Sequence, residues 1–158
     1  MADELLHFED FQAGQEYPCG THVLTAGEIA EFAREFDPQP QHLDPEASSE
    51  ILGGYAASGW HLCALDMRMI VVGLFNRSTS MGAPGLDEVQ WRKPVRAGDS
   101  LSVKVEVLGT RASSSRPDRG FVQLRCSMWR KDERVMFWTC SVMFRRRATE
   151  AYPSTGPG

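Results

Sequence analysis

The chain has few cysteines for its 158 residues. Cys19, Cys63, Cys126 and Cys140 never form a C-x-x-C pair or a Cys/His cluster of zinc spacing. A metal centre and a disulfide framework are therefore not expected, and each thiol reads as a small buried side chain. No apolar run reaches the roughly 18 residues of a membrane span. The opening MADELLHFEDF carries acids where a secretory leader would carry Lys or Arg, so the expected compartment is the cytoplasm. Positive charge is also missing as a surplus. With a formal net charge of −4, nothing provides a general footprint for nucleic acid or an anionic membrane. Fourteen Gly and nine Pro stay below a low-complexity level, and no internal repeat is visible.

What is present fits one folded domain over residues 1–148, followed by a Pro/Gly/Ser tail at 149–158 that is expected to be disordered. Phe8 and Phe11 in the acidic lead-in are expected to pack on the body. Glu16 to Leu24 reads as a first strand. Thr25-Ala26-Gly27-Glu28 is a capping box, and Ile29, Phe32, Ala33 and Phe36 follow at helical spacing until Asp37-Pro38 stops the helix. Pro45 to Ser49 reads as a short helical turn. Ala56 to Leu74, apolar almost all round, reads as a long buried helix interrupted by His61, Asp66 and Arg68. Leu86–Val95, Leu101–Thr110, Phe121–Arg130 and Val135–Arg145 then alternate as strands, with turns that favour antiparallel hairpins. The expectation is an α+β fold with an antiparallel sheet wrapped around a central helix. Its open edge strand and apolar surface call for a homodimer or higher homo-oligomer.

The densest chemistry lies between Glu35 and Trp60. Asp37 and His42 flank Pro38 and Pro40, whose fixed φ predicts a stiff extended turn, not a helix, between the two groups. Gly53, Gly54 and Gly59 lead into the long apolar helix, where first-turn amides can face a developing negative charge. Gly59 costs helix stability, which implies that a side chain there would obstruct something; close helix-on-sheet packing competes as an explanation. The pattern is a proton-transfer pair beside an oxyanion site.

The string D-x-[NQ]-P-x-H-x-D, running from Asp37 to Asp44, is followed by Gly53-Gly54, a small-residue stretch and Gly59. It resembles the hydratase motif of the MaoC-like acyl dehydratases, the (R)-specific enoyl-CoA hydratase branch of the hotdog superfamily. The resemblance implies a hotdog fold and a lyase that moves water across the Cα–Cβ bond of an acyl thioester carried by coenzyme A or an acyl carrier protein. It implies no metal or redox cofactor. Asp37 and His42 would hold one water, and the backbone N–H of Gly59 would receive the thioester oxygen. Departures from the family pattern are Phe36 for Gly, Gln39 for Asn, Gln41 for an aliphatic residue and Ser58 for His. These leave the proton-transfer groups intact, place Gln39 and Ser58 in the pocket wall, and bear on substrate choice. Asp44 reads as a helix cap ahead of Pro45, His61 as a core histidine, and Arg145 to Arg147 as a solvated terminus. Arg116 and Arg119, with Arg111 in the same loop and Arg92, Lys93 and Arg96 before it, are the cations expected to meet carrier phosphates. Two alternatives share the pattern: a hotdog thioesterase, which would attack the carbonyl, and a non-catalytic acyl-CoA-binding protein.

Overall fold

The computed structural model describes residues 4–148, so the expected tail at 149–158 lies outside the described residues. Strand β1 (Glu16–Val23) leads into helix α1 (Ala26–Phe36), a single helical turn α2 (Pro40–Leu43), α3 (Pro45–Leu52) and the long α4 (Gly59–Gly73). Strands β2 (Glu88–Trp91), β3 (Ser100–Ala112), β4 (Arg119–Arg130) and β5 (Glu133–Arg145) follow. Every ladder is antiparallel and the sheet order is β1-β3-β4-β5-β2, so β3, β4 and β5 form the expected meander. This sheet, curled over α4, is the hotdog fold.

Local chemistry accounts for most element boundaries. The Thr25 hydroxyl accepts from the Glu28 N–H and the Glu28 carboxylate accepts from the Thr25 N–H, the reciprocal cap that starts α1. Along β3, Leu101, Val103, Val105 and Val107 are buried while Ser102, Lys104 and Glu106 point away. At the β4–β5 turn Lys131 takes φ 53°, a left-handed conformation that closes a tight hairpin.

The structure differs from the sequence expectation in four places. Strand β2 is only four residues long, because the chain leaves the sheet beyond Trp91 toward Pro94. In β5, Val135 to Cys140 are all buried without alternation. Arg134 lies over part of their outer face, its guanidinium 4.6 Å from the Phe137 ring centre. Helix α4 buries one face only: Leu62, Leu65, Met69 and Ile70 meet the sheet, while Trp60, Met67 and Val72 are exposed. Arg146 and Arg147, expected as a solvated terminus, pair with Glu9 and Asp10 and so tie the lead-in to the end of β5. Phe11 is buried as expected, its ring 4.4 Å from that of Phe144.

Asp66 on α4 is enclosed in the core. Its Oδ2 accepts from Trp138 Nε1 at 2.6 Å, and its Oδ1 has no hydrogen-bond partner among the described residues. Burial pushes this carboxyl up to about 7, against the smaller opposing effect of the indole donor. A raised folded-state pKa means that the folded chain holds the proton more tightly than the unfolded chain. The resulting stabilisation is full below the ordinary carboxylate range and is lost as pH rises toward about 7. The expected slope is at most about 1.4 kcal/mol per pH unit in that window. Asp66→Asn should therefore gain on wild type between pH 5 and pH 8 in thermal unfolding. An equal difference at both pH values would rule out a proton on Asp66.

Candidate active site

The two candidate proton-transfer groups are delivered by helix ends. Asp37 is the residue at which α1 stops; its N–H still donates to Ala33 O at 3.0 Å, and Pro38 prevents another turn. The link to His42 is extended only through Gln39. Pro40 then opens the one-turn helix α2, which corrects the expectation of a fully extended segment. At the first helical position a proline sacrifices no hydrogen bond and arrives with helical φ, so the second proline starts a helix where the first ended one. That turn points His42 inward, where it is 8% exposed. Asp44 closes α2 and, through Oδ1, accepts from the Glu46 N–H to cap α3, as its sequence context predicted.

The imidazole is fixed by its inner nitrogen. His42 Nδ1 lies 3.1 Å from the carbonyl oxygen of Ala56, which can only accept, so Nδ1 carries the hydrogen and the neutral ring has its lone pair on Nε2. The Tyr55 hydroxyl donates to the His42 carbonyl at 2.9 Å and holds the same turn from outside. Nε2 faces Asp37 Oδ2 at 3.6 Å. Two acceptors cannot bond to each other directly, and at this separation one water can donate to both through bent hydrogen bonds.

Asp37 is held just as firmly. Its Oδ2 accepts from the Ser58 hydroxyl at 2.6 Å and its Oδ1 from the Gln39 side-chain amide at 2.6 Å. The Ser58 hydroxyl is the largest influence keeping this carboxyl below the usual range; burial opposes it, and the Gln39 amide and facing His42 add to it. Asp37 is thus a carboxylate at neutral pH. Ser58 also caps α4, its Oγ accepting from the Trp60 N–H at 3.3 Å. Gly59 is the first residue of α4, where an amide has no acceptor within the helix. A Cβ on Gly59 would lie 2.5 Å from the Trp91 ring, so the obstruction inferred from sequence is an indole on the edge strand. Trp91 Nε1 also donates to the Gly59 carbonyl at 2.9 Å.

Asp37, His42, Ser58 and Gly59 line one cavity of about 380 Å³ whose other walls include Leu62, Trp91 and Val95. Arg92 and Lys93 stand on the same wall, whereas Arg116 and Arg119 do not reach it. Arg130, at the cavity end of β4, donates to Pro94 O, and Arg119 begins the same strand. Eleven residue steps at about 3.3 Å put roughly 35 Å of strand between them. Arg119 there pairs with its neighbour Asp118. Gln39, expected in the pocket wall, instead serves the carboxylate from its solvent side. His61 is outside the cavity, stacked on Phe32 at 4.7 Å with Nδ1 buried and without a partner among the described residues, and burial lowers its pKa. Sequence reasoning missed Trp91 and the Ala56 carbonyl. The indole lay in a strand pattern remote from the motif, and a backbone oxygen carries no sequence signal.

Replacing Ser58 by Ala removes the strongest influence on Asp37. The carboxyl should titrate at higher pH than in wild type, measured by carbon-13 NMR of the Asp37 side chain. An unmoved titration would show that the hydroxyl does not govern it.

The family model of the MaoC-like domain matches residues 10–145. Among solved structures, the chain is 39% identical to a MaoC-like dehydratase from Rhodospirillum rubrum, with a TM-score of 0.84 over 91% of this chain and 99% of that one. It shares its fold with the (R)-hydratase from A. caviae involved in PHA biosynthesis, at 20% identity and a TM-score of 0.66 over 85% of this chain and 97% of that one. An uncharacterized Bacillus subtilis protein, YdeM, is 27% identical over 143 residues, covering 89% of this chain and 100% of its own. With the family model spanning the whole sheet, α4 and the Asp37–His42 segment, this chain belongs to the MaoC-like domain family.

Proposed function

We propose that the protein is a hydro-lyase that adds water to, or removes it from, the Cα–Cβ bond of an acyl thioester. The observation that carries this reading is the 3.6 Å separation of His42 Nε2 and Asp37 Oδ2 on the wall shared with the Gly59 amide. A water between the two acceptors is oriented by the carboxylate and loses a proton to Nε2 as its oxygen bonds to Cβ. The π pair moves toward the thioester carbonyl, and the oxygen of the resulting enolate meets the Gly59 N–H at the start of α4. Asp37, kept ionised, stabilises the imidazolium until Cα takes that same proton back. Water is the only co-reactant and no oxidation state changes, so the step needs no redox cofactor, and Asp37, His42 and the Gly59 N–H supply the base, the acid and the oxyanion donor without calling on a metal. Run backwards, the same steps dehydrate a 3-hydroxyacyl thioester.

The acyl carrier is assigned to coenzyme A or an acyl carrier protein, with its phosphates at Arg92 and Lys93, since these cations share the cavity wall. The exposed apolar residues of α4 and the edge of β2 support pairing with a second copy. R configuration at C3 is carried over from the family resemblance.

Crotonyl-CoA and longer or branched enoyl esters test the reading through loss of enoyl absorbance. Asp37→Asn and His42→Gln should each lower kcat by about 10²–10⁴ with unchanged circular dichroism. Thiol release without enoyl loss would assign a thioesterase, and binding without either reaction would assign an acyl-CoA-binding protein. Replacing Arg92 and Lys93 together by Ala should raise KM for a CoA ester about tenfold, the value of one charge-assisted hydrogen bond. KM for the uncharged N-acetylcysteamine ester should stay put; an equal rise for both esters would place the phosphates elsewhere.

A further inference from the structure

The Gly53-Gly54 pair has a partner that the proton-transfer chemistry does not use. Gly53 ends α3 in the left-handed region at φ 71° and Gly54 follows at φ 151°. Arg96, from the loop before β3, lies directly against them. A Cβ on Gly54 would come within 2.6 Å of Arg96 Cδ, and one on Gly53 within 3.0 Å of its Nη2. Through this gap the guanidinium reaches the carbonyl of Leu52, the last residue of α3, with Nη2 donating at 2.7 Å and Nε at 3.1 Å. A fixed cation donating twice to a helix C-terminal carbonyl is favourable both as a hydrogen bond and toward the helix dipole.

Arg96 is itself anchored from the sheet. Its N–H donates to Asp99 Oδ2 at 2.9 Å, and the same oxygen accepts from Arg130 of β4 at 2.7 Å. On the other side, the segment after the glycines runs beside Arg96. Ala97 N–H donates to Tyr55 O and Ala57 N–H to Val95 O, both at 2.9 Å, and Ala56 bridges Arg96. That segment supplies the Ala56 carbonyl that fixes His42 Nδ1 and the Ser58 hydroxyl that holds Asp37.

We infer that Arg96 is a positioning residue: by clamping the α3 C-terminus across the glycine pair, it sets the height of the Ala56–Ser58 segment and thereby the tautomer of His42 and the seat of Asp37. It touches neither group and does not line the cavity. Lysine cannot replace it fully, because its single ammonium lacks the planar fork that reaches Leu52 O through two nitrogens. The kinetic consequence rests on the hydro-lyase reading, while the effect on the imidazole does not.

The test therefore has two arms, on Arg96→Ala and Arg96→Lys. Nitrogen-15 NMR of wild type should show a single His42 tautomer with the hydrogen on Nδ1. Arg96→Ala should populate the other tautomer, and Arg96→Lys should stay closer to wild type, providing a readable variant if the alanine chain fails to fold. With an active enoyl ester, kcat of Arg96→Ala should fall about 10²-fold, the typical cost of about 1 Å of misplacement, at nearly constant KM. An unaltered His42 tautomer in both variants would overturn the inference, as would a raised KM at constant kcat, which would make Arg96 a substrate contact. A changed tautomer in a chain that hydrates no ester would uphold the inference and sink the hydro-lyase reading instead.

Discussion

The site depends on one crossing, where Ala56 and Ala57 run beside Val95 and Arg96 between the sheet and the start of α4. Its backbone hydrogen bonds are ordinary in length, yet each atom on either side of them has a task. The Ala56 carbonyl turned one way decides which nitrogen of His42 carries hydrogen; the next residues bring Ser58 to Asp37 and present Gly59 to the cavity. Because Ala56 and Ala57 are buried, the crossing cannot satisfy its amides with bulk water. The Ala56 N–H goes to the Ser48 hydroxyl and the Ala57 N–H to Val95 O, so moving the segment leaves buried groups unpaired. Geometry relevant to proton transfer is thereby tied to hydrogen bonds that the fold needs in any case.

Two carboxylates show how the same side chain is given opposite properties. Asp66 has one indole donor in an apolar enclosure, so desolvation dominates and the proton is retained to about neutral pH. Asp37, at the edge of the cavity, accepts a hydroxyl and an amide and faces an imidazole, and these outweigh its desolvation. A perturbed carboxyl on its own would have pointed to Asp66, the more strongly shifted of the two. What sets Asp37 apart is a cavity that it shares with an imidazole and with the first residue of a helix. Asp66 has none of these; its role is in the packing of α4 against Trp138.

The sequence carried the α+β architecture well, since its evidence was repetitive. The capping box at Thr25, the stripe on α1 and the alternation along β3 each repeat over many residues, and the structure has them within a few positions. The errors arose where one residue's context overrode its usual effect. Pro40 was read as a breaker and starts a helical turn. Val135–Cys140 lost its alternation where Arg134 lies over Phe137 and covers a face that would otherwise be wet. In the candidate site, Asp37, His42 and Gly59 drew attention through one short motif string and its family resemblance, and the structure brings all three to one cavity. Ser58 and Gln39 were recognised as pocket positions, but their donation to Asp37 depends on side-chain direction. Arg116 and Arg119 attracted attention by local density, and only the strand lengths show how far they stand from the cavity within one chain.

Gly59 illustrates how several demands converge on one missing side chain. Helix propensity alone argues against glycine at the first position of a 15-residue helix, by up to about 1 kcal/mol relative to alanine in an interior site. At the helix start that cost is smaller, and two gains oppose it. The Trp91 indole settles against the bare Cα and donates to the Gly59 carbonyl, fastening the short strand β2 to α4. The same residue lines the cavity without a methyl group beside its backbone. Trp91 in turn meets Trp60 edge-on at 5.2 Å, and both indoles remain substantially exposed in the single chain. The aromatic surface that secures the helix start is therefore continuous with the apolar face and open sheet edge assigned to a second copy. Under the proposed pairing, association at that surface buries the indole that rests on Gly59, linking assembly to the proposed oxyanion donor through one aromatic contact.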